Sequence, residues 1–214
     1  MALVYHITHM KNLAGIVAAD GLCCDRIREE RQVHSVKIAH QHIKDRRKRR
    51  AVKSLAGKAV AAGGNLCDYV PFYFAPRSPM LYAIDKGNVE GYQEGQNPIV
   101  HLVTSTENLQ SMNRPIAFTN GHAEIDYTEF SEDLSQLDKL VDWTIMASTY
   151  WNETLEHPDR KRKRQAEFLV HEFVPWTTIE RIGVIDKRVA EEITTALENS
   201  SHRPLVVVER AWYF

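Results

Sequence analysis

The sequence predicts a mixed α+β sheet domain, and three observations carry that reading. Five or six short runs rich in β-branched and aromatic residues are spread along the whole chain. Helical segments fall between them, but long strand-helix-strand crossovers are few, which favours a mixed sheet over a doubly wound parallel one. The fingerprints GxGxxG, GxxxxGK followed by Ser or Thr, and GxSxG do not occur, so the dinucleotide fold, the phosphate loop and the nucleophile elbow lack their signatures. With 214 residues, 43% of them hydrophobic, the chain can fill the core of one domain.

The elements read in order as follows. LVYHIT, residues 3 to 8, is a short strand, and MKNLAGIVAADGL a helix with Leu13, Ile16 and Val17 on one side and Gly21 as its stop. From Asp25 to Gly64 apolar residues thin out around KDRRKRR, which suggests a helical or mobile lobe over the surface and not core. VPFYFA is a strand, SPMLYAIDKG a helix capped by Ser78, and PIVHLVTST another strand. Residues 107 to 159 read as an elaborate connection, with a turn at Asn120-Gly121 and an acidic helix around SEDLSQLDKLVDW. EFLVHEFVP and IERIGVID are strands, KRVAEEITTALEN is a helix, and LVVVERAWYF is a final strand.

The bulk properties exclude several classes. Net charge is -1, so overall charge gives no case for nucleic-acid binding; the charge is instead gathered in blocks. Cys23, Cys24 and Cys67 form no CxxC spacing, and the adjacent pair closes no relaxed disulfide, which fits a reducing cytoplasm. No cationic leader and no run of about 18 apolar residues occurs, so a soluble, non-membrane protein is expected. Histidine pairs such as His6/His9 and His40/His42 lack a carboxylate and third ligand at a recognised spacing, so no metal is expected.

Three groups of residues can carry chemistry. His6 and Thr8 share one face of the first strand, fit either to grip a polar ligand or to serve as a satisfied histidine and a helix cap. KDRRKRR, residues 44 to 50, suits phosphate contacts or a solvated helix face, with Arg47 free to turn inward. In RKRKRQAEFLVHEFVP, five consecutive basic residues lead into Glu167, a carboxylate expected to emerge at the edge of a core strand. There it can stabilise developing positive charge, or simply pair with the preceding arginines.

Together YHITHMKNLAGIVAADGL, KDRRKRR, DYVPFYFAPRSPMLYAI and RQAEFLVHEFVPW resemble the DarT family of DNA ADP-ribosyltransferases, in the right order and over nearly the whole chain. The resemblance implies a single ADP-ribosyltransferase-like domain over 1–214, with two small β-sheets forming an NAD cleft among surrounding helices. It implies transfer of ADP-ribose from NAD, as co-substrate, onto thymidine in single-stranded DNA. It further implies a toxin paired with a DarG-like macrodomain antitoxin that removes the modification; a monomer is expected. Carried over by motif, His6, Ile7, Thr8 and Gly15 contact NAD, residues 25–64 form a basic element covering it, and Arg47 and Glu167 are the catalytic pair, Arg47 also touching NAD. Tyr73 lies near the nicotinamide, and Met80 and His122 near the target base. The family role of Arg47 is to take the N3 proton of thymine, a poor fit to a group with a pKa above about 12. Residues 107–166 form the acceptor-recognition region, in which Arg160, Arg162 and Arg164 hold DNA phosphate and Tyr150 and Trp151 stack on bases or pack in the core. A transferase acting on RNA or protein, and a nucleic-acid-binding module without turnover, are the competing readings.

Overall fold

The computed structural model describes residues 1–214 and contains ten strands in two sheets. The strands are β1 (Leu3–His9), β2 (Gly21–Cys23), β3 (Tyr69–Tyr73), β4 (Ile99–Ser105), β5 (Ile116–His122), β6 (Phe130–Ser131), β7 (Ala166–His171), β8 (Phe173–Pro175), β9 (Arg181–Val184) and β10 (Leu205–Val208). Eight form one sheet in the order β10-β9-β4-β1-β3-β7-β5-β6, while β2 and β8 make a separate two-stranded ribbon. The α+β expectation therefore holds with two sheets of unequal size. All pairings but one are antiparallel; β9 and β10 run parallel through one helical crossover, Lys187–Ala196.

The helices are α1 (Leu13–Ala18), α2 (Asp25–Glu30), α3 (Gln41–Arg47), α4 (Pro79–Asp85), α5 (Thr106–Ser111), α6 (Leu137–Leu140), α7 (Trp143–Ala147), α8 (Arg160–Lys163) and α9 (Lys187–Ala196). Ser78 caps α4 as its sequence position suggests, its hydroxyl accepting from the Leu81 amide at 3.1 Å. The acidic stretch from Ser131 to Trp143 is broken into short pieces, because Asp133 and Asp142 each cap a new turn instead of lying inside one helix.

Two more boundaries differ from the sequence reading. EFLVHEFVP is two strands, split at Glu172 with φ of 62°. The backbone there turns out of the large sheet and into the ribbon, where Gly21 meets Pro175 in register. A Cβ on Gly21 would lie 2.2 Å from the Val174 carbonyl oxygen, so only glycine permits that approach. Asn120-Gly121 is no turn: both residues lie in β5, beside a register irregularity between Phe118 and His122.

The main core gathers Phe72, Phe118, Phe168 and Trp176 with Leu81, Ile84 and Ile182. The segment from 25 to 64 is not only a surface lobe: Ile38 joins that core, and Val52 and Val60 pack with Leu66, Tyr69 and Leu169 in a second one. Burying each such side chain contributes about 1.5–3 kcal/mol, enough to hold an otherwise polar segment in place. No helix is long and apolar enough to cross a membrane.

Candidate active site

The site is built where three central strands meet the covering segment. Glu167 is the second residue of β7 and stands opposite Tyr73 of β3 in the ladder. Its strand lies inside the sheet, so its side chain is buried and does not emerge at a sheet edge as the sequence suggests. The Glu167 amide donates to Thr119 Oγ1 at 2.9 Å, which fixes the start of the strand.

Arg47 ends α3 and turns inward. Its Nη1 donates to both oxygens of Glu167, at 2.9 and 3.2 Å, and its Nη2 is buried without a partner. Burial opposes the guanidinium charge, but the Glu167 charge and hydrogen bond outweigh it and Asp25 adds to them, so Arg47 holds its proton more tightly than a free arginine. An orphaned guanidinium nitrogen beside a carboxylate is a donor waiting for a ligand oxygen or base.

One cleft runs from this pair between β1, α1 and the covering segment. His6, Ile7, Thr8, Gly15, Arg47, Tyr73, Met80 and Glu167 all line it. His6 Nδ1 lies 2.8 Å from the Pro71 carbonyl, which can only accept, so Nδ1 carries the proton and Nε2 is left as an acceptor. Burial pushes the imidazole down to about 4, so this neutral form is the working one. A Cβ added to Gly15 would meet no protein atom within 4 Å, which leaves close approach open to a ligand. Tyr73 donates to Met80 Sδ at 3.8 Å, and burial together with the Glu167 charge keeps the phenol protonated. No group of three or more His, Cys, Asp or Glu side chains is arranged to hold a metal ion.

His122, at the end of β5 beside Ala166, lies outside that cleft but within the field of Glu167. Burial holds it below its usual range, against the pull of Glu167. Its Nδ1 accepts from the Glu124 amide at 3.2 Å.

The first basic run is a tethering hub and not a free phosphate patch. Lys44 pairs with Asp25 at 3.3 Å, Arg46 with Glu124 at 2.9 Å, Lys48 with Glu29 at 2.8 Å and Arg50 with Asp126 at 3.1 Å. These contacts fasten α3 to α2 on one side and to the loop after β5 on the other. Each pair keeps at least one partner partly in water and contributes on the order of 1 kcal/mol, but together they hold α3, and with it Arg47, in place.

The second basic run behaves differently from its expected role. Arg164 is 4% exposed, and its guanidinium donates to the carbonyls of Arg77, Ile145, Met146 and Ser148, so it braces the loop and is not placed to hold DNA. Arg162 is likewise committed, to Asp159 through Nε and Nη2 at 2.7 Å and to Asn120 and Thr128 through Nη1. A Cβ on Gly121 would sit 2.2 Å from Arg162 Nη1, so a larger residue at that point in β5 would have to push the Arg162 side chain aside. Arg160 donates to the Tyr150 carbonyl at 2.7 Å, and Lys161 is exposed. Tyr150 is 80% exposed, whereas its neighbour Trp151 is buried against Tyr82.

Two residues that line the cleft, Asn12 and Asp25, and one that ties α3 down outside it, Glu124, are not singled out by the sequence reading. Asn12 lines the cleft, donates to Thr8 Oγ1 at 3.1 Å, and exchanges two hydrogen bonds with the Val36 backbone at 2.8 and 3.0 Å, pinning the covering segment to β1. Asp25 joins α2 to α3. Glu124 is buried beside Arg46. An asparagine just ahead of a helix is a possible signal for the first; the other two look like ordinary surface acids in the sequence.

The family model described as ssDNA thymidine ADP-ribosyltransferase, DarT, matches residues 5–214. The chain belongs to the DarT family. A "DNA ADP-ribosyl transferase" of Thermus sp. (strain 2.9) is 40% identical over 213 residues, 99% of this chain and 95% of that protein. The structure "Thermus sp. 2.9 DarT in complex with ADP-ribosylated ssDNA" superposes with a TM-score of 0.89 at 39% identity, covering 100% of this chain and 96% of that one. The same Thermus DarT "in complex with NAD+" gives 0.86 at 37% identity, covering 100% and 98%. A "DNA ADP-ribosyl transferase-DNA ADP-ribosyl glycohydrolase fusion protein" of Thermosipho africanus is 25% identical over 198 residues, 92% of this chain and 46% of the fusion.

Proposed function

We propose that this DarT protein transfers ADP-ribose from NAD to thymidine in single-stranded DNA, with Arg47 and Glu167 as its catalytic pair. The observation that carries the reading is the contact of Arg47 with both carboxylate oxygens of Glu167, at the end of a cleft lined by His6, Ile7, Thr8 and Gly15. The residues suit NAD: an acceptor nitrogen on His6, an open face at Gly15, and a buried, unpartnered Nη2 on Arg47.

Glu167 accepts a hydrogen bond from a hydroxyl of the nicotinamide ribose and offsets the positive charge that develops as the glycosidic bond lengthens. That interaction strengthens toward the transition state, which is what accelerates the step. Tyr73 closes the nicotinamide end, and Met80 and His122 flank the incoming base. Arg47, already charged, stabilises the anionic N3 of thymine and is no net acceptor of its proton.

Residues 25–64 act as the element covering NAD and residues 107–166 as the acceptor-recognition region. Tyr150 and Arg160 face the DNA there. The fusion of a relative to a DNA ADP-ribosyl glycohydrolase supports a partner that reverses the modification; in this reading the partner is a DarG-like macrodomain antitoxin, and the transferase works in the cytoplasm as a monomer.

Incubation with NAD and a thymidine-containing single-stranded oligonucleotide is expected to add the mass of one ADP-ribose and release nicotinamide. An adduct on RNA or protein but on no single-stranded DNA would overturn the acceptor assignment.

A further inference from the structure

The cleft has to hold more of NAD than the ribose at Glu167. Four cations line it, Arg28, Lys37, Lys44 and Arg47, against two carboxylates, Asp25 and Glu167. The two positive charges left over match in number the two negative charges of a diphosphate. Arg47 is committed to Glu167, so the diphosphate is left to the other three. Lys37 is exposed, whereas Arg28 and Lys44 are held in place.

Lys44 is set apart from the rest of its basic run. Arg46, Lys48 and Arg50 meet Glu124, Glu29 and Asp126, none of which lines the cleft, while Lys44 lines it together with Arg47. The two stand three residues apart on α3, on one face and about one helical turn from each other. In NAD one ribose separates the bond that breaks from the first phosphate. A cation one turn along the helix from Arg47 is spaced for that phosphate.

Asp25 yokes Lys44 to Arg28. Its Oδ1 lies 3.3 Å from Lys44 Nζ and 3.5 Å from Arg28 Nη1. Burial opposes the carboxylate charge, but Lys44, Arg47 and Arg28 outweigh it and hold Asp25 below its ordinary range. Arg28 Nη2 also donates to Ser35 Oγ, beside the Val36 backbone that Asn12 pins. These contacts leave donors over. Lys44 Nζ has three hydrogens and one acceptor, and Arg28 Nε has no acceptor in the protein. Two cations sharing one carboxylate, with side chains 18% and 30% exposed, keep a net positive charge in a largely covered site, which favours an anion there.

We propose that Lys44 and Arg28, held together by Asp25, form the subsite that binds the diphosphate of NAD. The proposal rests on NAD as the donor, as described above.

The test is calorimetry with NAD and with ADP-ribose, at low and high salt, on wild type, the Arg28→Gln/Lys44→Gln double variant, Lys44→Gln and Lys44→Arg, with melting temperature measured alongside. The double variant should bind both ligands on the order of 10²-fold more weakly and lose most of the salt dependence of binding. Its KM for NAD should rise with kcat within about threefold of wild type, because the diphosphate is held equally before and during bond breaking. Lys44→Arg keeps the charge and should restore most of the affinity that Lys44→Gln loses. Unchanged affinity in the double variant, or a loss that leaves the salt dependence intact, would overturn the proposal and leave the two cations as ties between α2 and α3. Should the double variant melt too early to assay, the Lys44 pair decides: weaker binding in Lys44→Gln that Lys44→Arg restores supports the subsite, and equal affinity in the two removes it. A wild-type protein that binds neither ligand would instead reject NAD as the donor.

Discussion

Arg47 and Glu167 stand 120 residues apart in the chain and 2.9 Å apart in space. The guanidinium reaches both carboxylate oxygens through one nitrogen and keeps the other nitrogen unpartnered, so the pair is organised before substrate arrives. Arg47→Ala leaves Glu167 buried beside an empty space. It is expected to cost up to about 3 kcal/mol of stability as well as transfer. Chemical denaturation reads the first, and an unchanged midpoint would mean the ion pair adds nothing to the fold.

Gly15 separates ligand room from protein room. Because an added Cβ meets no protein atom, Gly15→Val should leave the melting temperature within a degree or so, while NAD binding measured by calorimetry weakens at least about tenfold. Unchanged NAD affinity would remove Gly15 from the binding face.

Asn12 acts at a distance from the chemistry by pinning Val36 to β1. Asn12→Ala loses three side-chain hydrogen bonds, worth about 1 kcal/mol each. Faster proteolysis within residues 25–64 and a raised KM for NAD are the expected results. Equal protease sensitivity would show that the covering segment is held by its ion pairs instead.

Arg164 was a DNA-contact candidate in the sequence and is a brace in the structure. Burial and Arg77 push its guanidinium down to about 10, yet it stays charged at neutral pH. Arg164→Met strips a set of buried carbonyls of their donor and should cost about 3–5 kcal/mol, without altering the salt dependence of oligonucleotide binding for the fraction that folds. Loss of salt dependence at full stability would restore its role as a phosphate contact.

Acid sensitivity should follow the buried histidines. His101 lies between Pro76 and Tyr213, and burial pushes it down to about 4. The folded state therefore binds its proton less readily than the unfolded chain, whose value is about 6.5. That stability is present above about 6.5 and is lost as pH falls through about 4, with a slope of up to about 1.4 kcal/mol per pH unit for one such group. His101→Gln should flatten the slope measured by urea unfolding, and an equal slope would assign the acid loss to other groups.

Much of the fold was legible because its strands are short apolar runs with local stop signals, and Ser78 marks a helix start in its own sequence. The split at Glu172 was not, since its positive φ accompanies backbone hydrogen bonds to residues distant in sequence, from its own amide to the Asp68 carbonyl and from the Cys24 amide to its carbonyl, both 2.8 Å. Asn120-Gly121 has the residue types of a turn, yet both lie in β5, where Asn120 Oδ1 accepts from Arg162 Nη1 at 3.0 Å and from the Glu129 amide at 3.1 Å, partners that only the tertiary structure brings there. The cleft residues were reached through family motifs. The contrast between the two basic runs was not legible, because only tertiary structure shows which carboxylate or carbonyl each arginine meets.

The most direct test of the account is transfer by Glu167→Ala with NAD and single-stranded DNA, followed by mass spectrometry of the oligonucleotide. The account predicts loss of the ADP-ribose adduct by about 10²-fold or more, with the fold and oligonucleotide binding retained. An adduct formed at the wild-type rate would contradict it.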